Sequence, residues 1–181
     1  KLMIGKSIEK VFQVDDHVAA SATGFLMDGR VLIERAQLIA QQNKVTYDSA
    51  IDVLALVKDV ANLKQAYTQF GGARPFGVSI LFAGVDDSGP QLYATDVTGI
   101  YFQFKATVIG EGETQLKEIL DKEYKEDMTI DQGLKLAVSA FKRVFGKDFD
   151  VEKLDGAYIK TSDKMYRRIE KDFLKKIVRK S

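Results

Sequence analysis

The sequence has no cysteine, a single histidine and only 2 prolines among 181 residues. Without cysteine the chain can form no disulfide, thiolate nucleophile or zinc–thiolate site, which fits a reducing compartment. No apolar run is long enough to span a bilayer. The first residues lack the apolar segment and cleavage site of a signal peptide. We therefore expect no membrane association and no secretion.

An excess of charge of either sign is also absent. The chain has 27 Lys and Arg against 26 Asp and Glu, a formal net charge of +1. A nucleic-acid binder driven by counterion release would be strongly basic, so this class is not favoured. Hydrophobic residues make up 45% and charged residues 29%, an ordinary globular balance. These values predict one domain, residues 1–181.

Hydrophobic periodicity predicts strands, a helix pair, strands, a second helix pair, strands and a last helix. The predicted strands are 11–14, 17–23, 76–85, 91–95, 100–109, 155–161 and 165–169. The predicted helices are 27–44, 52–70, 113–124, one that begins after the capping box Thr129–Gln132, and 170–180. Paired helices between antiparallel strands argue against a doubly wound sheet. We predict an α+β fold, a four-layer αββα sandwich of two antiparallel sheets.

The sequence offers little catalytic chemistry. His17 is the only histidine, and it follows a predicted turn at a hairpin end. Ser79 lacks the second glycine of a nucleophile elbow. Gly110 and Gly112 lie before a helix, but the third glycine of a dinucleotide-binding turn is replaced by Gln115. No cluster has metal-ligand spacing. We predict no catalytic residue, no metal and no cofactor.

One segment stands out, Tyr-Thr-Gln-Phe-Gly-Gly-Ala-Arg-Pro-Phe-Gly at 67–77. It closely resembles the YTQ-x-GG-x-RPFG segment of proteasome α subunits, particularly the archaeal type. Further segments resemble the same family in order and with similar spacing. They lie at 7–12, 24–32, 41–47, 82–86, 105–110 and 122–127. The resemblance covers residues 4–145, and beyond them only the pattern of elements matches.

This resemblance implies the fold of the N-terminal-nucleophile hydrolases, which is the same αββα sandwich. Proteasome β subunits use an N-terminal threonine whose own amine acts as the base. This sequence begins with Lys1, so it resembles the non-catalytic α subunits. Such subunits form heptameric rings in the cytoplasm and cap rings of β subunits. Their implied partners are other α subunits, β subunits, the C-terminal tails of AAA+ ATPases, and unfolded substrates in transit.

The resemblance also implies two sites. The first is a pocket between neighbouring α subunits. Lys10 matches the lysine that receives the carboxylate of an activator tail there, and Gly24 and Phe25 match the small, apolar part of the same pocket. Phe25 departs from the usual leucine. A pore constriction is expected at Phe70, Gly71, Gly72 and Ala73. Arg74 should hold this loop or a neighbour through hydrogen bonds, with a partner that the sequence does not identify.

The main departure from the family lies before Lys1. Family members carry a gating tail, a first helix and two strands there, so the sequence matches the C-terminal three quarters of the family chain. We expect the fold to be incomplete at the N-terminus and the 181 residues to assemble poorly alone. Two alternatives stay open. One is a catalytic β-type or bacterial-type threonine peptidase of the same superfamily, and the other is a stand-alone binding module.

Overall fold

The computed structural model describes residues 10–180. Lys1 and residues 7–9 of the first family-like segment lie outside the described residues. In chain order the elements are β1 Val11–Asp15, β2 Val18–Gly24, α1 Leu26–Tyr47, α2 Val53–Tyr67, β3 Val78–Asp86, β4 Gly89–Thr95, β5 Tyr101–Gln103, α3 Glu113–Glu123, α4 Ile130–Phe145, β6 Ala157–Ile159, β7 Tyr166–Arg168 and α5 Lys171–Lys180.

The strands form two antiparallel sheets, as predicted. Strands β1 to β5 lie side by side in chain order, and β6 pairs with β7. In the larger sheet Phe82 pairs with both Ala20 and Tyr93, so these three side chains share one face. The α+β sandwich class is therefore confirmed over the described residues.

The main core lies between that face of the sheet and the helix pair α1–α2. Leu32 and Ala36 of α1, Val57 of α2, and Ile80 and Phe82 of β3 are all completely buried there. Alternate residues of a strand point to opposite faces, so Leu81 and Leu92 lie on the second face. This face and the helix pair α3–α4 line a groove with a volume of about 850 Å³.

The capping box of α4 is confirmed. The Gln132 N–H donates to Thr129 Oγ1 at 3.3 Å, and the Thr129 N–H donates to Gln132 Oε1 at 2.8 Å. Asp52 does precede α2, but its side chain makes no capping hydrogen bond. Instead, the Val53 N–H donates to Asp86 Oδ2 of β3 at 3.1 Å. A distant carboxylate thus satisfies one free amide at the start of α2.

Three local predictions were wrong. The strand predicted at 100–109 ends at Gln103, and the next residue, Phe104, donates its N–H to Leu92 O at 2.9 Å. The strand predicted at 76–85 begins at Val78, and its faces are covered unequally, since Phe82 is buried and Ala83 is exposed. The helix predicted at 52–70 ends at Tyr67, which is 37% exposed. In each case apolar residues indicated a longer element than the packing provides.

Candidate functional site

Two of the three predicted docking residues lie at one end of the groove. Lys10 lies immediately before β1, and Gly24 ends the neighbouring strand β2. Both line the groove together with Leu26, and Ser21 Oγ donates to Lys10 O at 2.9 Å. Lys10 Nζ donates to Lys153 O at a long 3.4 Å. The ammonium is exposed and weakly held, so it can reach an anion at this end of the groove.

Phe25, the third predicted docking residue, does not line the groove. It is 63% exposed, and the Arg74 guanidinium carbon lies 5.4 Å from its ring centroid. A Cβ at Gly77 would come within 2.4 Å of the Phe25 ring. Phe25 therefore packs on the backbone that leads into β3, with a cation–π contact above it.

The predicted constriction residues form an exposed loop between α2 and β3. All of 70–73 is exposed, and the Ala73 N–H donates to Phe70 O at 3.4 Å. Gly72 has φ +87°, a conformation that favours glycine, and a Cβ at Gly71 or Gly72 would meet no atom within 4 Å. A side chain at either glycine would therefore project into open space, and contacts at the two ends of the loop fix its position.

Arg74, at one end of this loop, has a partner that the sequence did not identify. Its Nη1 and Nη2 donate to Asp28 Oδ2 and Oδ1 at 2.6 and 2.8 Å, and the Gly77 N–H donates to Asp28 Oδ2 at 2.8 Å. Arg74 and then Gly77 hold the pKa of the Asp28 carboxyl below its ordinary value. Asp28 is buried in the first turn of α1. A bidentate pair of this kind fixes both position and angle.

At the other end of the loop, aromatic rings hold the chain. The Tyr67 ring lies 4.7 Å from that of Phe76 and 6.1 Å from that of Phe70, centroid to centroid. Phe76 is buried, so it joins the loop to the core. The rings therefore join the two ends of the loop, and the Arg74–Asp28 ion pair fixes the end that leads into β3.

A buried lysine on α2 was not predicted from the sequence. Lys64 lies on α2, is completely buried, and donates from Nζ to Thr95 Oγ1 at 2.9 Å. Burial lowers the pKa of Lys64 to about 8, while the Asp96 carboxylate acts in the opposite direction. The apolar stripe of α2 includes Val60, and four residues further along it comes Lys64. That spacing was the signal that could have revealed it.

The residues that could suggest hydrolysis do not come together. His17 is buried, with Nε2 2.7 Å from Ile51 O. Its neighbour Val18 pairs with Gly84, whereas Ser79 pairs with Thr23 at the far end of the same two strands. Within residues 10–180 no group of acidic or histidine side chains could hold a metal ion. No helix in that part of the chain is long and apolar enough to cross a membrane.

Comparisons with a family model and with individual proteins indicate the same family. The family model described as "Proteasome subunit" matches residues 1–159. A protein named proteasome subunit alpha from Methanocaldococcus jannaschii is 44% identical over 180 residues, which cover 99% of this chain and 69% of the relative. The Pyrococcus abyssi protein of the same name is 41% identical over 178 residues, covering 98% of this chain and 68% of the relative.

The match extends well beyond the glycine-rich segment, since it runs through both helix pairs and the five-stranded sheet. A relative from Methanococcus maripaludis carries the same subunit name, at 44% identity over 179 residues. The chain belongs to the proteasome subunit family and is similar to its archaeal α subunits.

Proposed function

We propose that this chain is a non-catalytic α subunit of a proteasome core particle. In this role it forms the outer heptameric ring, controls the entry of unfolded substrates, and binds the C-terminal tails of regulatory AAA+ ATPases. Its immediate partners are other copies of the chain and the β subunits, which supply the threonine nucleophile. The α subunit names of the relatives support this proposal.

The observation that carries the docking part is the position of Lys10 beside Gly24. Lys10 is exposed immediately before β1, and Gly24 ends the neighbouring strand β2. A tail with a free carboxylate and a hydrophobic residue matches this pair. The carboxylate would accept hydrogen bonds from Lys10 Nζ, and the hydrophobic residue would pack at Gly24, in a pocket that the neighbouring copy of the chain completes.

The exposed loop at 70–73 supports the gating part. Gly71 and Gly72 have no neighbours that a side chain would meet, so their backbones can approach other copies closely. A ring of such loops would form a narrow annulus that passes an extended chain and excludes a folded domain. Phe70, 62% exposed at the loop, would line this annulus.

We predict that Lys10→Met weakens tail binding roughly tenfold to a hundredfold, because a hydrogen bond to a charged group contributes roughly 1.5–3 kcal/mol. The protein as its gene encodes it is assembled with a β subunit. Fluorescence anisotropy then measures binding of a synthetic peptide that has a hydrophobic residue, a penultimate tyrosine and a free C-terminal carboxylate.

Two controls sharpen this measurement. Lys58→Met removes an exposed lysine of α2 and should leave the affinity unchanged. The same peptide with an amidated C-terminus should bind wild type as weakly as the free peptide binds Lys10→Met. Equal affinities of wild type and Lys10→Met for the free peptide would contradict the proposed docking role.

A further inference from the structure

Strand β5 is an edge of the larger sheet, and one side of its backbone has no partner. It pairs only with β4, where the Phe104 N–H donates to Leu92 O at 2.9 Å. Bonded residues alternate along an antiparallel pair, so the even-numbered residues of β5 bond to β4. The N–H and C=O of Tyr101 and Gln103 point away from β4, and within residues 10–180 they make no hydrogen bond.

The two edges of this sheet differ in how they are protected. At β1, Gln37 Nε2 donates to Gln13 O at 2.8 Å, and the register with β2 shifts between Gln13 and Asp15. Edge strands avoid pairing with other chains through coverage, bulges, charges or proline. Residues 97–104, which include β5, contain no charge and no proline, and Phe102 is 63% exposed. The β5 edge is therefore open to pairing with another strand.

A pocket lies beside the exposed ring of Phe102. It has a volume of about 330 Å³, and its apolar lining includes Ile100, Phe102, Phe104, Val108 and Ile109. The rings of Phe102 and Phe104 meet edge to face, with centroids 6.5 Å apart. Opposed residues of paired strands have their side chains on the same face. A residue of an added strand opposite Phe102 would therefore have its side chain on the face where the pocket opens.

The turn before β5 holds this edge in place. Asp96 Oδ1 accepts hydrogen bonds from the Thr98 N–H and hydroxyl and from the Ile100 N–H. A Cβ at Gly99 would lie 2.5 Å from Ala61 O, so the turn packs directly on α2. An added strand would thus meet an edge that is already ordered, which lowers the entropy lost on binding.

We propose that the free edge of β5 and the adjoining pocket bind an extended segment of an unfolded polypeptide. The segment adds to the sheet as an antiparallel strand, bonded to the backbones of Tyr101 and Gln103, and the pocket takes the apolar side chain opposite Phe102. The identity of this partner rests on the proposed function. Two copies paired through β5 would be related by a two-fold axis, whereas neighbours in a heptameric ring are not.

The probe is a fluorescent peptide of serine and threonine residues with one central leucine. Its C-terminus is amidated, so it offers no carboxylate to Lys10. Anisotropy measures binding to the protein as its gene encodes it, assembled with a β subunit. Opposite Phe102 the leucine N–H points away from β5, while the N–H groups of its two neighbours point toward β5. N-methylation of the leucine amide should leave binding unchanged, and N-methylation of either neighbouring amide should weaken it at least about tenfold.

Gln103→Pro removes one N–H from the free edge and none from the side that bonds to β4, a position where a strand tolerates proline. It should weaken binding of the unmethylated peptide about tenfold, because a carbonyl of the peptide loses its donor. Gln103→Ala is the matched control. Both variants lose the hydrogen bond from Gln103 Nε2 to Gln91 Oε1 at 2.6 Å, but alanine retains the N–H. Gln103→Ala should bind like wild type.

Several results would overturn this inference. They are no binding of the unmethylated peptide to wild type, equal binding of the differently methylated peptides, and equal binding by Gln103→Pro and wild type. Self-association of wild type that Gln103→Pro abolishes would assign the edge to a second copy, which also contradicts the proposal. Native mass spectra of the same samples report ring assembly separately. Peptide binding with the expected methylation pattern by a chain that forms no ring would reject the proposed function and leave the β5 site intact.

Discussion

Replacing Gly24 with alanine is expected to lower the free energy of unfolding by about 2–6 kcal/mol, the sum of two effects. The backbone at Gly24 has φ +116°, a conformation that costs a residue with a Cβ on the order of 1–3 kcal/mol. The new methyl group would also lie 2.3 Å from Gly77 O, and overpacking of this kind costs about 1–3 kcal/mol. Equilibrium unfolding in urea measures the change.

Gly133→Ala is the matched control, because the same substitution is made within α4 where a Cβ meets nothing within 4 Å. Alanine is favoured over glycine inside a helix by up to about 1 kcal/mol, so this variant should be more stable than wild type. Alanine should therefore destabilise the protein at Gly24 and stabilise it at Gly133. A Gly24→Ala variant as stable as Gly133→Ala would show that the end of β2 does not pack as described.

Lys64 should make the stability of the fold depend on alkaline pH. The folded state has a Lys64 pKa of about 8, against 10.5 for an unperturbed lysine. Between these values the unfolded chain binds more protons at this site than the folded chain. The free energy of unfolding therefore rises with pH through this range, by about 3 kcal/mol in total from this one group. Below pH 8 both states are protonated, and the contribution of Lys64 is constant.

Lys64→Met tests this by comparison with wild type from pH 7 to pH 10.5, using urea unfolding at each pH. Other groups titrate in both proteins, so their effects cancel in the difference. We expect Lys64→Met to be most stable relative to wild type at pH 7 and to lose that advantage as the pH rises. Lys58→Met, with its lysine on the exposed side of the same helix, should follow wild type throughout. A constant difference for Lys64→Met would contradict a buried, charged amine.

The order of helices and strands and the capping box of α4 could be predicted from the sequence, because both depend on residues that are close together in the chain. Thr129 and Gln132 are three residues apart, and they satisfy each other's backbone whatever the rest of the chain does. Lys10 and Gly24 lie near each other because they belong to the neighbouring strands β1 and β2 or their ends, and their docking role stays a prediction.

What the sequence did not reveal depends on contacts between distant residues. Arg74 and Asp28 are 46 positions apart, and only the packing of α1 against the start of β3 brings them together. Phe25 follows Gly24 directly, yet its ring turns to Arg74 instead of the groove. The spacing of apolar residues predicted the buried face of α2 but not that Lys64 would lie on it. The hydroxyl that accepts its hydrogen bond, Thr95 Oγ1, belongs to β4, a distant element of the sequence.

We propose above all that this chain is a ring-forming subunit and not a free-standing protein. Native mass spectrometry tests it most directly, on the protein as its gene encodes it, co-expressed with a proteasome β subunit. We predict complexes that contain seven copies of the chain in each ring, bound to β subunits. A chain that remains a monomer and joins no β ring would contradict it.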